Sequence, residues 1–393
     1  MPIPSSFSLT LISVLVLLVS SSTFLASGAS FSSTPPKKRS NSWALPGSSK
    51  DTAMTTSLPP SIVGSINEID AIITTDAGGR GMKHLIVPRD LQASAEILAR
   101  LQPRQSSSSS SEDRQKPRVV ILAGFPCCVD HSPPMETDGL ASVDIARAAT
   151  QLGYEAILVT ESCNAPVFRA AVKGVEELAS IQLVFFLEGP SWTAGHDDEM
   201  QRLADSADLI ISCERAGPAA DGRCYTMRGI DMNERGLIAP LHTIVARARE
   251  TNHVTYIAIG DGGNELGMGK VIDKIHKHIP DGEKIGAVMA ADHLIAASVS
   301  NWGGYALIAA AALVAAADRC GDNDGGGSAD DNRRQWIDKC LPTEESETQL
   351  LHRCVAAGCR DGVSGKMEAT VDGMPLERSM QCLREIRKAA LGA

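Results

Sequence analysis

Between Arg118 and Asp261 the chain repeats one arrangement, a continuous apolar run and then an amphipathic segment. The runs are RVVILAGF, EAILVTE, IQLVFFLE, DLIISCE and VTYIAIGD, separated by SVDIARAATQLG, APVFRAAVKGVEELAS, DDEMQRLADSA and PLHTIVARARE. Strands apolar on both faces must be covered on both faces. The pattern therefore predicts an α/β fold: an open, mostly parallel, doubly wound (Rossmann-like) sheet with helices on both faces. Aromatic residues make up only 4% of the chain while Gly and Ala abound, which suits close helix–sheet packing. A further unit, KIGAVMAADHL, leads into NWGGYALIAAAALVAAA. The latter reads as a buried helix, not a membrane span, because Asn301, Gly303 and Gly304 open it and Asp318 closes it early.

The flanks have other compositions. The apolar run Leu9–Val19 has the length of a signal-peptide core, and small residues before Phe31 offer a cleavage site, so residues 1–30 read as a signal-like leader. Residues 31–60 are Ser/Pro-rich and basic, the composition of a transit or linker segment. Together they predict entry into the secretory pathway, with a plastid destination through a bipartite leader; simple secretion and mitochondrial import are the alternatives. The folded domain is expected over residues 61–393, with polar insertions at 103–117 and 321–334. The helix-like Ile62–Ile73 and Arg89–Leu101 open it, and a mostly helical tail broken by a loop or hairpin closes it.

The chain carries a net charge of −10, and the four basic residues of the first 50 leave 33 basic against 47 acidic beyond them. That balance argues against nucleic-acid binding through bulk electrostatics. Ten cysteines without a CxxC pair speak against zinc and for mostly reduced, buried thiols.

The chemistry lies just past the end of each apolar run. RVVILAGF leads to Glu136 and Asp138, the next runs end at Glu161, Glu188 and Glu214–Arg215, VTYIAIG ends at Asp261, and AVMAA at Asp292–His293. In an open parallel sheet the carboxyl ends share one edge, where such folds bind ligands. Helix capping accounts for an isolated acid there. Asp138, Asp261 and Asp292, set in unusual loops, point to function, whereas Glu161 and Glu188 fit caps or solvated groups. GDGGNELGMGK, Gly260–Lys270, has the glycines of a phosphate loop but not the spacing: Asn264 and Val271 stand where Gly and Ser or Thr are required. No GxGxxG or GxSxG register fits. The long loop after DLIISCE brings Arg215 and Arg228, whose guanidinium forks match carboxylates, so an anionic substrate is expected.

Five ordered stretches, GFPCCVDHSPPMETDG, ERAGPAADGRCYTMRGIDM, IAIGDGGNELGMGKV, ADHLIAASVSNWGGYAL and DGVSGKMEATVDGMPLE, together resemble the carboxy-terminal domain of D-glutamate cyclase. The resemblance runs from about Ile62 to the C-terminus, outside the two insertions. It implies a carbon–oxygen lyase that dehydrates D-glutamate to 5-oxo-D-proline. Full-length proteins of that name carry a further amino-terminal domain, where this chain has a leader.

On that reading Arg215 and Arg228 clamp the substrate carboxylates, with Asn264, Gly262, Gly263 and Asn301 completing the substrate-binding set. Asp261 or Asp138 takes the ammonium proton if burial and neighbouring acids raise its pKa. His293 or a divalent cation assists the leaving oxygen, and the Gly262–Gly263 N–H groups receive the oxyanion. Glu136, Asp138, Asp261, Glu265 and Asp292 form an all-oxygen donor set suited to Mg²⁺ or Mn²⁺. Two other readings stay open: a non-catalytic module that binds an acidic amino acid, and a metal-dependent hydrolase using the same edge.

Overall fold

The computed structural model describes residues 57–104, 116–189, 193–319 and 328–392, all within one compact unit, Thr56–Ala393. The leader residues 1–56 and most of the first insertion, residues 105–115, lie outside the described residues.

The apolar runs form strands β1 (Arg118–Gly124), β2 (Glu155–Glu161), β3 (Gln182–Phe186), β4 (Leu209–Arg215) and β5 (Thr255–Gly260), joined by β6 (His293–Ala296). All six pair in parallel in the order β3-β2-β1-β4-β5-β6. The order reverses between β1 and β4, so a crevice opens over their carboxyl ends. Within β1, Val119 and Ile121 face one apolar layer while Val120 and Leu122 face the other. This is why the strand reads as an unbroken apolar run.

One face is covered by α1 (Pro60–Ile73), α2 (Asp90–Ala99), α3 (Ala141–Gln151), α4 (Ala165–Val172) and α9 (Ser300–Arg319). Outside these lie α10 (Ala329–Cys340), α11 (Glu344–Ala356) and α12 (Leu376–Leu391). The other face carries α5 (Ala194–Ser206), α6 (His242–Asn252), α7 (Ile272–His278) and the short α8 (Gly282–Ile285). Pro60 opens α1, where its missing N–H costs nothing, and Ser328 and Thr343 cap α10 and α11 with their hydroxyls.

The apolar segment after β6 is, among the described residues, the one helix long and apolar enough to cross a membrane, yet it is buried from Ser300 to Ala316. Its glycines permit that depth: a Cβ on Gly303 would stand 2.5 Å from Ile259, and one on Gly304 2.6 Å from Ala141.

Three expectations shift. APVFRAAVKGVEELAS is not one helix, because the chain leaves α4 after Val172 and turns at Gly174, φ 74°. The polar stretch 321–334 is already helical from Ala329. AVMAA is not a strand; β6 begins at His293, so Asp292 and His293 stand at its amino end. The tail loop closes in a hairpin of β7 (Thr370–Val371) and β8 (Met374–Pro375) around Asp372 and Gly373, both at positive φ.

Candidate functional site

Above the carboxyl ends of β1, β4 and β5 lies a cavity of about 190 Å³. Its floor is the loop after β5. Glu265 folds back so that its carboxylate accepts from the N–H groups of Asp261 (2.9 Å), Gly262 (2.5 Å) and Gly263 (2.6 Å). The glycines are needed because Gly263 adopts φ 102° and a Cβ on Gly262 would meet Met227 sulfur at 2.7 Å. Asn264 ties the floor to the loop after β4, its amide donating to Tyr225 O at 2.8 Å.

The end of β4 supplies a wall. Pairing with β1 skips a residue: Ala123 faces Cys213 and Gly124 faces Arg215, leaving Glu214 bulged at φ 43°. The bulge turns Glu214 into the cavity, with Ser300 Oγ donating to its Oε2 at 2.6 Å. Gly139 makes room, since a Cβ there would stand 2.7 Å from Glu214 Cβ. Glu136, from the loop after β1, lines the adjoining wall against Gly362. Just behind it Asp138 accepts from Gly139, Ser300 and Asn301 N–H groups, and so caps α9.

The roof comes from the two flanks of the domain. Arg80, between α1 and α2, donates to Asp261 Oδ2 at 2.6 Å and to Asp372 Oδ2 at 2.5 Å. Arg228 stands at the mouth and donates to Val363 O at 2.6 Å.

Six carboxyl groups thus crowd around two guanidinium groups. Burial raises Glu136, Glu214 and Asp261 well above the ordinary carboxyl range, and neighbouring acids add to it; for Asp261 the Arg80 charge opposes. Burial and Asp372 lift Asp138 to about 7, against three backbone N–H donors. Arg80 is held still more firmly in its charged form by Asp261. Oxygens of Asp138, Asp261 and Asp372 lie within 4.8 Å of one another, as do those of Glu214, Asp261 and Glu265.

Of the residues singled out from sequence, Glu136, Arg228, Asp261, Asn264 and Glu265 line the cavity and Asp138 adjoins it. Other expectations are corrected. Arg215 is 1% exposed and clamps no ligand: it pairs with Glu161 at 2.5 Å and donates to Gly124 O and Ala239 O. Glu161 is likewise its buried partner, not a solvated cap. The Gly262 and Gly263 N–H groups are already taken by Glu265, so no oxyanion reaches them. Asn301 serves the fold, its side chain binding Ala141 N and Thr137 O. Asp292 and His293 lie at the opposite end of the sheet, engaged with Arg249 and Tyr256 N and with Asp90 respectively.

Arg80, Glu214 as a wall residue, and Asp372 escape the sequence reading. The glycines on either side of Arg80, at φ 63° and 95°, and the Asp-Gly turn at Asp372 are visible locally. Their meeting over Asp261 is a property of the tertiary fold.

Comparison with known proteins places the chain in a family. The family described as D-glutamate cyclase-like, C-terminal, matches residues 69–387. The protein named D-glutamate cyclase, mitochondrial, of Homo sapiens is 30% identical over 328 residues, which cover 80% of this chain and 50% of that protein. The chain therefore spans about half the length of that relative.

Proposed function

The chain belongs to the D-glutamate cyclase-like C-terminal family, and from that premise we propose that it cyclises D-glutamate to 5-oxo-D-proline with loss of water. The observation that carries the reading is an amino-acid-sized cavity with acids on its walls, Arg80 in its roof and Arg228 at its mouth. The substrate amine attacks its own γ-carboxyl carbon; a C–N bond forms, and a C–O bond breaks as the oxygen leaves with two protons as water. The ammonium group must first lose a proton. Asp261 is the acceptor: it lines the cavity, its Oδ2 held by Arg80. Glu214, whose carboxyl burial raises well above the ordinary range, donates to the departing oxygen; His293 is too remote for that part. Arg228 at the mouth binds a substrate carboxylate.

The donor set is carboxylate oxygen throughout, which fits a hard divalent cation, Mg²⁺ or Mn²⁺, on Asp138, Asp261 and Asp372. When bound it would supply positive charge toward the substrate carboxylates. For the compartment, the human relative's name supports the mitochondrial alternative for the leader.

Incubating the purified chain with D-glutamate and following 5-oxo-D-proline tests the reading. Asp261→Asn should lower turnover about 10²-fold or more with an unchanged thermal midpoint, and a fully active variant would remove the proton-acceptor role. Stabilisation by D-glutamate without product would make the chain a binding module instead.

A further inference from the structure

We propose that Thr226 and Asn264 read the α-amino-acid head of the substrate, the Thr226 hydroxyl donating to its α-carboxylate and Asn264 Oδ1 accepting from its ammonium group. The assignment rests on the proposed function and gives two further wall residues a part in it. Both line the cavity and both are enclosed, Thr226 at 4% and Asn264 at 2% exposed. Polar groups so enclosed are ordinarily hydrogen-bonded throughout. In each of these residues one bonding capacity is left over.

Thr226 sits in the loop after β4, two residues before Arg228. Its Oγ1 accepts from the N–H groups of Arg228 at 3.3 Å and Ile230 at 3.2 Å. A hydroxyl has two lone pairs and one proton, so only the proton remains to give. Among the described residues no acceptor receives it. Asn264 is fixed by the converse argument. Its Nδ2 donates to Tyr225 O at 2.8 Å, and because a carbonyl can only accept, that bond settles which way round the amide lies. Oδ1 is then the open end, beside the cavity floor, where a Cβ on Gly262 would stand 3.1 Å from it. Among the described residues no N–H or O–H donates to Oδ1. The cavity therefore offers an obligate donor and an obligate acceptor.

Their spacing is held by the same bonds. Tyr225, whose carbonyl orients Asn264, immediately precedes Thr226, and its hydroxyl donates to Asp221 Oδ2 at 2.6 Å. The loops after β4 and β5 are joined again where Gly217 N donates to Asn264 O at 2.9 Å and Leu266 N to Arg215 O at 2.6 Å. Donor and acceptor are thus in place before a ligand arrives. Each also has a charged neighbour on its own loop: Arg228 beside Thr226 for the carboxylate, Asp261 beside Asn264 for the ammonium. An α-amino acid carries both groups on one carbon and satisfies both residues at once. A ligand that lacks either group leaves one enclosed polar atom unpaired, which is how a polar site rejects an analogue.

The test measures dissociation constants of the full chain by calorimetry for three ligands: D-glutamate; 4-aminobutyrate, which is glutamate without the α-carboxylate; and glutarate, which is glutamate without the amine. Thr226→Val keeps the shape and removes the hydroxyl. It should weaken D-glutamate and glutarate about 10- to 100-fold and 4-aminobutyrate little, and Thr226→Ser should recover most of the loss. Asn264→Ala should weaken D-glutamate and 4-aminobutyrate and leave glutarate nearly unmoved. Equal losses across the three ligands would mean that the two residues only shape their loops, and would overturn the assignment. Wild-type protein that holds D-glutamate no more tightly than the two analogues overturns it as well. If the wild type binds none of the three, the cyclase reading itself falls and takes the assignment with it.

Discussion

Arg80 and Arg215 both leave their segments near the carboxyl edge of the sheet, but burial gives them different tasks. Arg80 keeps its partners at the cavity and remains partly exposed, whereas Arg215 is enclosed with Glu161 beneath β1 and β4. Removing one member of such an enclosed pair leaves an uncompensated charge, a loss of about 3–5 kcal/mol. Arg215→Met should therefore lower the urea midpoint sharply, and adding Glu161→Met should recover much of the loss. If Arg215→Met instead left stability intact and weakened substrate binding, the arginine would be a ligand after all. From sequence Arg215 reads as a clamp because it ends an apolar run; the Glu161 that claims it is 54 residues away. Asp261 is legible because its glycine-dense setting is local. Asp372 is not, because it also satisfies the ordinary demands of a tight turn.

Single elements show the same limit. Five of the six strands are legible as apolar runs, because a doubly covered strand needs no polar alternation. The sixth is displaced: AVMAA is apolar enough for a strand, but the pairing partner of Ile257 is His293. Where helices meet, the demands are stricter. Asp144 on α3 and Glu347 on α11 are buried together under Tyr305 on α9, which donates to Glu347 Oε1 at 2.5 Å. Asp144 Oδ2 and Glu347 Oε2 are buried without a hydrogen-bond partner, so two neighbouring carboxyls are enclosed with little to stabilise their charged forms. Burial raises both, the neighbouring Asp144 adding for Glu347, while Arg147 and Arg353 pull Asp144 back. A folded-state pKa above the unfolded one means that the folded chain binds more protons. Stability from this pair is thus full below the ordinary carboxyl range and is lost as pH rises through the raised value. Glu347→Gln, whose amide can donate to Asp144, should flatten that decline and gain on the order of 1–3 kcal/mol at neutral pH. Urea titrations of both proteins across pH would show it, and parallel curves would refute it.

At the scale of the whole molecule the site is a global property. Its carboxylates and arginines come from the segment before α2, from three strand ends and from the hairpin before α12. Anything that binds them is linked to unfolding of the entire domain. If the proposed cation binds, chelator-stripped protein should gain about 2.7 kcal/mol at a free Mg²⁺ or Mn²⁺ concentration one hundred times its dissociation constant. Asp372→Asn should lose that gain, and indifference of the wild type to both ions would remove the cation from the site.

The bridge from Arg80 to Asp372 joins residues separated by 292 positions. During synthesis, Arg80 and Asp261 emerge from the ribosome long before the hairpin that completes their roof. A nascent chain therefore holds an unfinished acid cluster until that last contribution arrives. If the proposed ligand binds across Asp261 and Asp372, it can be held only after the hairpin has joined Arg80, so binding would report on a domain whose distant segments have already met.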